Sequence, residues 1–256
     1  MVRLWRRFRR NTCGLETCRL GCVRVCLPSV RSRIEGFFGW MVVQSVDPDQ
    51  ESCRSKVVEV MPLVSRLDLI TAVARGAVVS FPTDTVAAFA TQPEAADRIF
   101  AVKQRQPDKP LILMGGDAAQ LWLYVAGTEA ELACWQAIAS QYWPGALTLV
   151  LPSSARVPLA MNPTASGTIG IRVPDCEVTR ELLRDTGPLA TTSANRSGEE
   201  PLSDPEAIAA AFPEVYVLDH QEQAPAERSR SGTPSTVVQW IEGHWHVLRQ
   251  GEIALG

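Results

Sequence analysis

The chain has 256 residues, 46% of them hydrophobic and 21% charged, with 7 cysteines and a formal net charge of −3. That length and apolar fraction suffice for a full core, and no apolar run is long enough for a membrane-spanning helix, which excludes an integral helical membrane protein. Residues 1–60 carry 11 Lys+Arg against 6 Asp+Glu, leaving 14 and 22 for the remainder, an acidic body that gives non-specific nucleic-acid binding little support.

In chain order, residues 1–60 stand apart. Arg3, Arg6, Arg7, Arg9 and Arg10 crowd the start, and Cys13, Cys18, Cys22, Cys26 and Cys53 follow without a clean helical or strand period. The cysteine spacing lacks the Cys-x-x-Cys knuckles of common zinc sites, and no histidine lies nearby. A targeting segment is the second reading. The reading adopted is an extension, disordered or outside the mature fold, with Met41 or Met61 as initiator and the domain proper over residues 61–256. Cys134 and Cys176 read as small apolar fillers in helical surroundings, and such usage points to a reducing, cytoplasmic setting.

From Ser65 the pattern is regular. Leu67, Ile70, Val73 and Ala74 define a helical face and Gly76 stops the helix. Ala77–Phe81 reads as a short buried strand that breaks at Pro82 into the polar loop Pro82-Thr83-Asp84-Thr85-Val86. A helix over 94–102 follows, with Ala95, Ile99 and Val102 inward, then the cations Lys103, Arg105 and Lys109 and a strand over 111–114. Asp117 opens another helix, and 129–140 forms one more with Leu132, Trp135, Ile138 and Ala139 as its apolar positions. Trp143-Pro144-Gly145 is a corner with Trp143 in the core, leading into a strand over 147–151. Strands over 168–173 and 189–192 flank a helix over 177–185. A helix over 204–212 has Asp204 as N-cap and Pro205 at its first position. Strands over 215–218, 235–240 and 244–248 complete the chain, the last two joined at Glu242-Gly243, with His244 and His246 on the surface. The fold class is α/β: a single domain with a twisted, mixed parallel and antiparallel sheet, flanking helices and a ligand groove at strand ends.

Polar residues follow several of these strands. Thr85, Arg172 in Arg172-Val173-Pro174, Ser193 with Asn195 in Ser193-Ala194-Asn195-Arg196-Ser197-Gly198, and Ser235-Thr236 stand at strand ends that are predicted to match. Dense hydroxyls and a guanidinium suit a zwitterion or a phosphorylated small molecule, and convergence of independent elements makes a site from weak local signals. No Ser/His/Asp or Cys/His set and no standard phosphate loop is present in the sequence.

The ordered set of words, Pro82-Thr83-Asp84-Thr85, Lys103-Gln104-Arg105, Lys109-Pro110-Leu111, Trp143 to Thr148, Arg172-Val173-Pro174, Ser193 to Gly198, Ser235-Thr236-Val237-Val238 and Arg249-Gln250-Gly251, resembles the YrdC-like (TsaC) family over about residues 65–251. What the resemblance implies is a threonylcarbamoyl-AMP synthase. It would use ATP, L-threonine and bicarbonate, release pyrophosphate, and serve N6-threonylcarbamoyladenosine formation at position 37 of tRNA. It further implies that Thr85, Met114, Arg172, Ser193 and Ser235 meet threonine or its carbamate. The nucleotide would fall to Lys103, Arg105, Lys109, Thr168, Asn195, Ser203 and Arg249. Mg²⁺ is expected to accompany ATP, with no protein residue assigned as metal ligand or catalytic base. The partners implied are the proteins that accept the labile adenylate, with tRNA contact weak or indirect. One departure stands out: the family's usual Tyr-Gly-Leu is Ala87-Ala88-Phe89 here, and alanine in place of glycine disfavours a positive φ.

Overall fold

The computed structural model describes residues 63–104, 110–222 and 231–254, together with strands β1 (Val25–Cys26), β2 (Ser32–Phe37), β3 (Trp40–Ser45) and β4 (Val58–Val60). The chain divides into two compact units, Met1–Pro62 and Leu63–Gly256. In the first, β1 to β4 pair in sequence order as an antiparallel sheet. Cys26 ends β1, whereas Cys13, Cys18, Cys22 and Cys53 and the arginines Arg3, Arg6, Arg7, Arg9 and Arg10 lie outside the described residues.

The second unit is a single ten-stranded mixed sheet flanked by helices. Its elements in chain order are β5 (Leu63–Val64), α1 (Arg66–Ala74), β6 (Val79–Phe81), β7 (Ala88–Thr91), α2 (Asp97–Lys103), β8 (Ile112–Met114), α3 (Ala118–Leu121) and α4 (Glu129–Tyr142). Then come β9 (Leu147–Pro152), β10 (Thr168–Arg172), α5 (Glu177–Thr186), β11 (Leu189–Ser193), α6 (Pro205–Ala211), β12 (Tyr216–Leu218), β13 (Thr236–Ile241) and β14 (His244–Arg249). Across the sheet the order is β14-β13-β9-β10-β8-β11-β7-β6-β12-β5. Local chemistry sets the boundaries. Ser65, Asp117 and Asp204 cap α1, α3 and α6 with side-chain acceptors, and Thr128 with Glu131 forms a full capping box on α4.

Cross-strand partners share a sheet face, and alternation along each strand divides residues between the two faces. One face carries Phe89, Leu113, Leu149, Ile171 and Val238, in a cluster with Ile99 of α2, Trp135 of α4 and Ile208 of α6. The other carries Val79, Phe81, Ala88, Ala90, Met114 and Leu189, packed with Leu69, Ala72 and Val73 of α1 and Leu182 and Leu183 of α5.

Four expectations are corrected. The buried stripe of α1 is Leu69, Ala72 and Val73, whereas Leu67 is 71% exposed; helix α1 is rotated from the face proposed because α5 and β12 cover a different side. β7 is a strand where only a loop was expected: Ala87-Ala88-Phe89-Ala90 has no alternation because β7 is buried on both faces. Trp143 is half-buried, stacked on Trp122 at 5.8 Å between ring centroids. Cys134 lies on the exposed side of α4, and only Cys176 is buried.

Candidate functional site

The site grows from the loop between β6 and β7. Thr83 Oγ1 donates to the Val86 carbonyl (2.7 Å) and accepts from the Thr85 amide (3.1 Å), which locks the turn. Thr85 is thereby buried with its hydroxyl aimed at Arg172 of β10. The Arg172 guanidinium is held on three sides. Nε donates to the Gly145 carbonyl (3.0 Å), Nη1 to Thr85 Oγ1 (3.0 Å) and Nη2 to Asp84 Oδ1 (2.6 Å). Its side chain is 5% exposed against 16% for Asp84. Beside it, Ser235 Oγ meets Thr148 Oγ1 at 2.9 Å, and Arg249 donates to the Ser235 carbonyl from Nη2 (2.7 Å) and Nε (3.1 Å).

Burial lowers the Arg172 pKa from the ordinary arginine value, with the neighbouring Asp84 charge opposing. Arg249 is lowered first by desolvation and then by repulsion from Arg172. The two guanidiniums repel each other, and the charges of Asp84 and Glu252 both act on Arg172.

A second polar group lies across the loop. Lys103, the last residue of α2, is 2% exposed, and its Nζ donates to the carbonyls of Ser193 (2.6 Å) and Asn195 (2.7 Å) and to Asn195 Oδ1 (2.8 Å). Ser193 Oγ donates to the same Asn195 Oδ1 at 2.6 Å. The Ala194 amide donates to the Ala87 carbonyl at 2.8 Å. One short loop therefore touches Arg172 through Thr85 and the Ser193–Asn195 turn through Ala87. The Lys103 ammonium, expected at phosphate, is held by this turn in the structure. Ala88, where the family usually has glycine, lies in a regular strand and is not among the positive-φ residues, so the substitution is accommodated.

The matching-ends expectation is replaced by a shared face. β10 runs parallel to β8, whereas β11 runs antiparallel to it, so Arg172 and Ser193 stand at opposite ends of the sheet. Register instead puts Arg172 opposite Met114, Val237 opposite Thr148 and Arg249, and Ser193 opposite Ala88. By alternation Arg172, Met114, Thr148, Ser235, Arg249, Thr168 and Ser193 all belong to the face that carries α1 and α5.

The structure thus joins Thr85, Asp84 and Arg172 by hydrogen bonds, Thr148, Ser235 and Arg249 in a second group, and Lys103, Ser193 and Asn195 in a third. Met114 ends β8 next to Arg172, where the Gly115 amide donates to the Arg172 carbonyl (3.1 Å). Thr168 stands at the far end of β10, about 13 Å along the strand from Arg172, with its hydroxyl 3.2 Å from that of Ser166. Ser203 is exposed just ahead of α6. Arg105 and Lys109 lie outside the described residues. Sequence reasoning missed Asp84, Gly145 and Thr148 as positioners; Asp84 and Gly145 stood inside quoted words, and Thr148 was legible in the strand alternation of 147–151. A cavity of about 340 Å³ opens elsewhere, between Trp122, Trp143, Val173 and Arg180, and none of the residues of the three groups lines it.

Three comparisons place this arrangement among known proteins. Threonylcarbamoyl-AMP synthase of Chromohalobacter salexigens is 36% identical over 156 residues, covering 59% of this chain and 82% of that protein. The crystal structure of Pyrococcus abyssi Sua5 complexed with L-threonine aligns with a TM-score of 0.63 at 29% identity, over 73% of this chain and 53% of that one. E. coli YciO aligns with a TM-score of 0.62 at 26% identity, over 73% and 88% of the two chains. A family model for Sua5, YciO and YrdC proteins, described as telomere recombination, matches residues 71–251. Every strand of the ten-stranded sheet but β5 lies within that span, as do Thr85 and Arg172, and the chain belongs to the Sua5/YciO/YrdC family.

Proposed function

We propose that this chain synthesises threonylcarbamoyl-AMP from L-threonine, bicarbonate and ATP with release of pyrophosphate, a nucleotidyl transfer that supplies tRNA modification in the cytoplasm. The observation that carries the reading is the pair of hydrogen-bonded groups Thr85–Arg172 and Ser235–Arg249. Their two guanidiniums are close enough to repel each other, in a chain similar to enzymes of that name.

The chemistry asks for this inventory. A carbamate oxygen attacks the α-phosphorus, so two anions must be held against each other. Positioning and fixed positive charge accomplish that, with no covalent nucleophile and no base acting on an already anionic carbamate. Arg172 and Ser235 are assigned to threonine and its carbamate, with Thr85, Ser193 and the Met114 backbone completing that side. Arg249, Asn195, Thr168 and Ser203 are assigned to the nucleotide side, together with Arg105 and Lys109. Lys103 supports them by fixing the turn. Mg²⁺ would enter as the MgATP complex and balance phosphate charge. The acceptors of the adenylate are assigned to the tRNA-modification machinery. A pyrophosphate-release assay with ATP, bicarbonate and threonine tests the proposal: release should require all three, and Arg172→Ala and Lys109→Ala should each abolish it. Full turnover in both variants would sink the site assignment, and threonine-independent release would sink the reaction.

A further inference from the structure

We propose that Asp84 makes the site select α-amino acids: its carboxylate takes the substrate α-ammonium while Arg172 takes the α-carboxylate. This deepens the threonine reading and rests on it. Asp84 Oδ1 and Arg172 Nη2 are 2.6 Å apart, an anion and a cation fixed side by side. An α-amino acid is the complement, with its own cation and anion attached to a common carbon. Docked with charges opposed, the four groups form a ring in which each charge has two neighbours of opposite sign.

Both residues have capacity to spare. A guanidinium offers five N–H groups, and the bonds to Gly145, Thr85 and Asp84 use three, leaving one on each terminal nitrogen. Asp84 engages through Oδ1, and among the described residues Oδ2 has no hydrogen bond. Exposure points the same way. At 16% against 5%, the carboxylate is the member of the pair that faces outward. The loop holds Asp84 firmly, since its carbonyl accepts from the Ser231 amide at 3.2 Å. Once the nitrogen is carbamoylated it keeps one N–H, still a donor to Asp84. The new carboxylate then needs a second cation, and Arg249 is close enough to Arg172 for their charges to interact.

The test compares L-threonine with 3-hydroxybutanoate, the same skeleton without the ammonium, by calorimetric titration of the full chain. Wild type should prefer threonine by about tenfold or more, the loss expected for one charge-assisted contact. Asp84→Asn should weaken threonine by a similar factor and leave 3-hydroxybutanoate within about threefold. Equal losses for both ligands would reduce Asp84 to a prop for Arg172 and overturn the proposal, as would an unchanged preference. If Asp84→Asn does not fold, Asp84→Glu and wild type decide: both must discriminate, and equal affinities in either overturn the idea. Pyrophosphate release is measured alongside. Selective threonine binding without turnover leaves this proposal standing and removes the enzymatic reading. Threonine-dependent turnover with unchanged discrimination in Asp84→Asn does the reverse. Failure of wild type to bind threonine overturns the proposal.

Discussion

Lys103→Met removes the ammonium that gathers three acceptors in the Ser193–Asn195 turn and keeps the aliphatic stem. The Ser193 carbonyl keeps the Asn195 amide and Asn195 Oδ1 keeps the Ser193 hydroxyl, so the Asn195 carbonyl is the acceptor that loses its donor, at roughly 1–3 kcal/mol. The variant no longer desolvates a cation, which offsets the weakening of the other two acceptors. We take the net loss as about 1–3 kcal/mol. For a domain of this size each kcal/mol moves the midpoint by about 2–4 °C, so thermal melts followed by circular dichroism should fall by about 6 °C. The loss should be shared with Asn195, because Lys103 reaches it through both the carbonyl and Oδ1. Lys103→Met combined with Asn195→Ala should therefore destabilise less than the sum of the single variants. A midpoint within about 2 °C of wild type would refute the reasoning, since it would mean the turn closes without its ammonium.

Other outcomes can be checked with the same preparations. Arg249→Ala should raise the KM for ATP with little change in melting, as Arg249 stands on the exposed edge strand β14; an unchanged KM would remove it from the nucleotide side. Gly251→Ala would drive a Cβ into the Pro234 carbonyl and the Thr236 amide, so product formation should fall through displacement of Ser235, and wild-type kinetics would show that this segment yields freely. Glu131 accepts from the Thr128 amide (2.9 Å), the Thr128 hydroxyl (2.9 Å) and Trp240 Nε1 (3.2 Å). These bonds, the Thr128 backbone amide first, lower its pKa from 4.5. A lowered folded pKa gives stability that is present above the unfolded value and lost as pH falls through the folded one. The melting difference between wild type and Glu131→Gln should thus be constant near neutrality and shrink on acidification below pH 4.5; a difference that grows there contradicts the assignment.

Elements with strong local signals were legible in the sequence. Asp204 followed by Pro205 announced α6, Thr128 with Glu131 sits where α4 begins, and the strands over 147–151 and 168–173 were placed to within a residue. β7 was not, because a strand buried on both faces has no period to read and its alanines favour helix as readily as sheet. Helix α1 was misphased because two apolar stripes, one starting at Leu67 and one at Leu69, compete, and only tertiary packing selects between them. The candidate residues themselves were visible, but their grouping depended on strand direction. Nothing local says that β11 runs against β8, and that reversal separates Arg172 from Ser193 along the sheet. Asp84 was hidden in a turn rich in groups that satisfy backbone, where a carboxylate needs no ligand to explain it.

The interleaving on β10 limits how such a protein can change. Ile169 and Ile171 are sealed in the hydrocarbon layer while Gly170 and Arg172 face the other way. A single-residue insertion or deletion inside this strand would swing the guanidinium into oil and an isoleucine toward the substrate. Drift toward new amino acids is therefore confined to exchanges at every other position, and tolerance for altered length belongs to the connections, such as the stretch between β9 and β10.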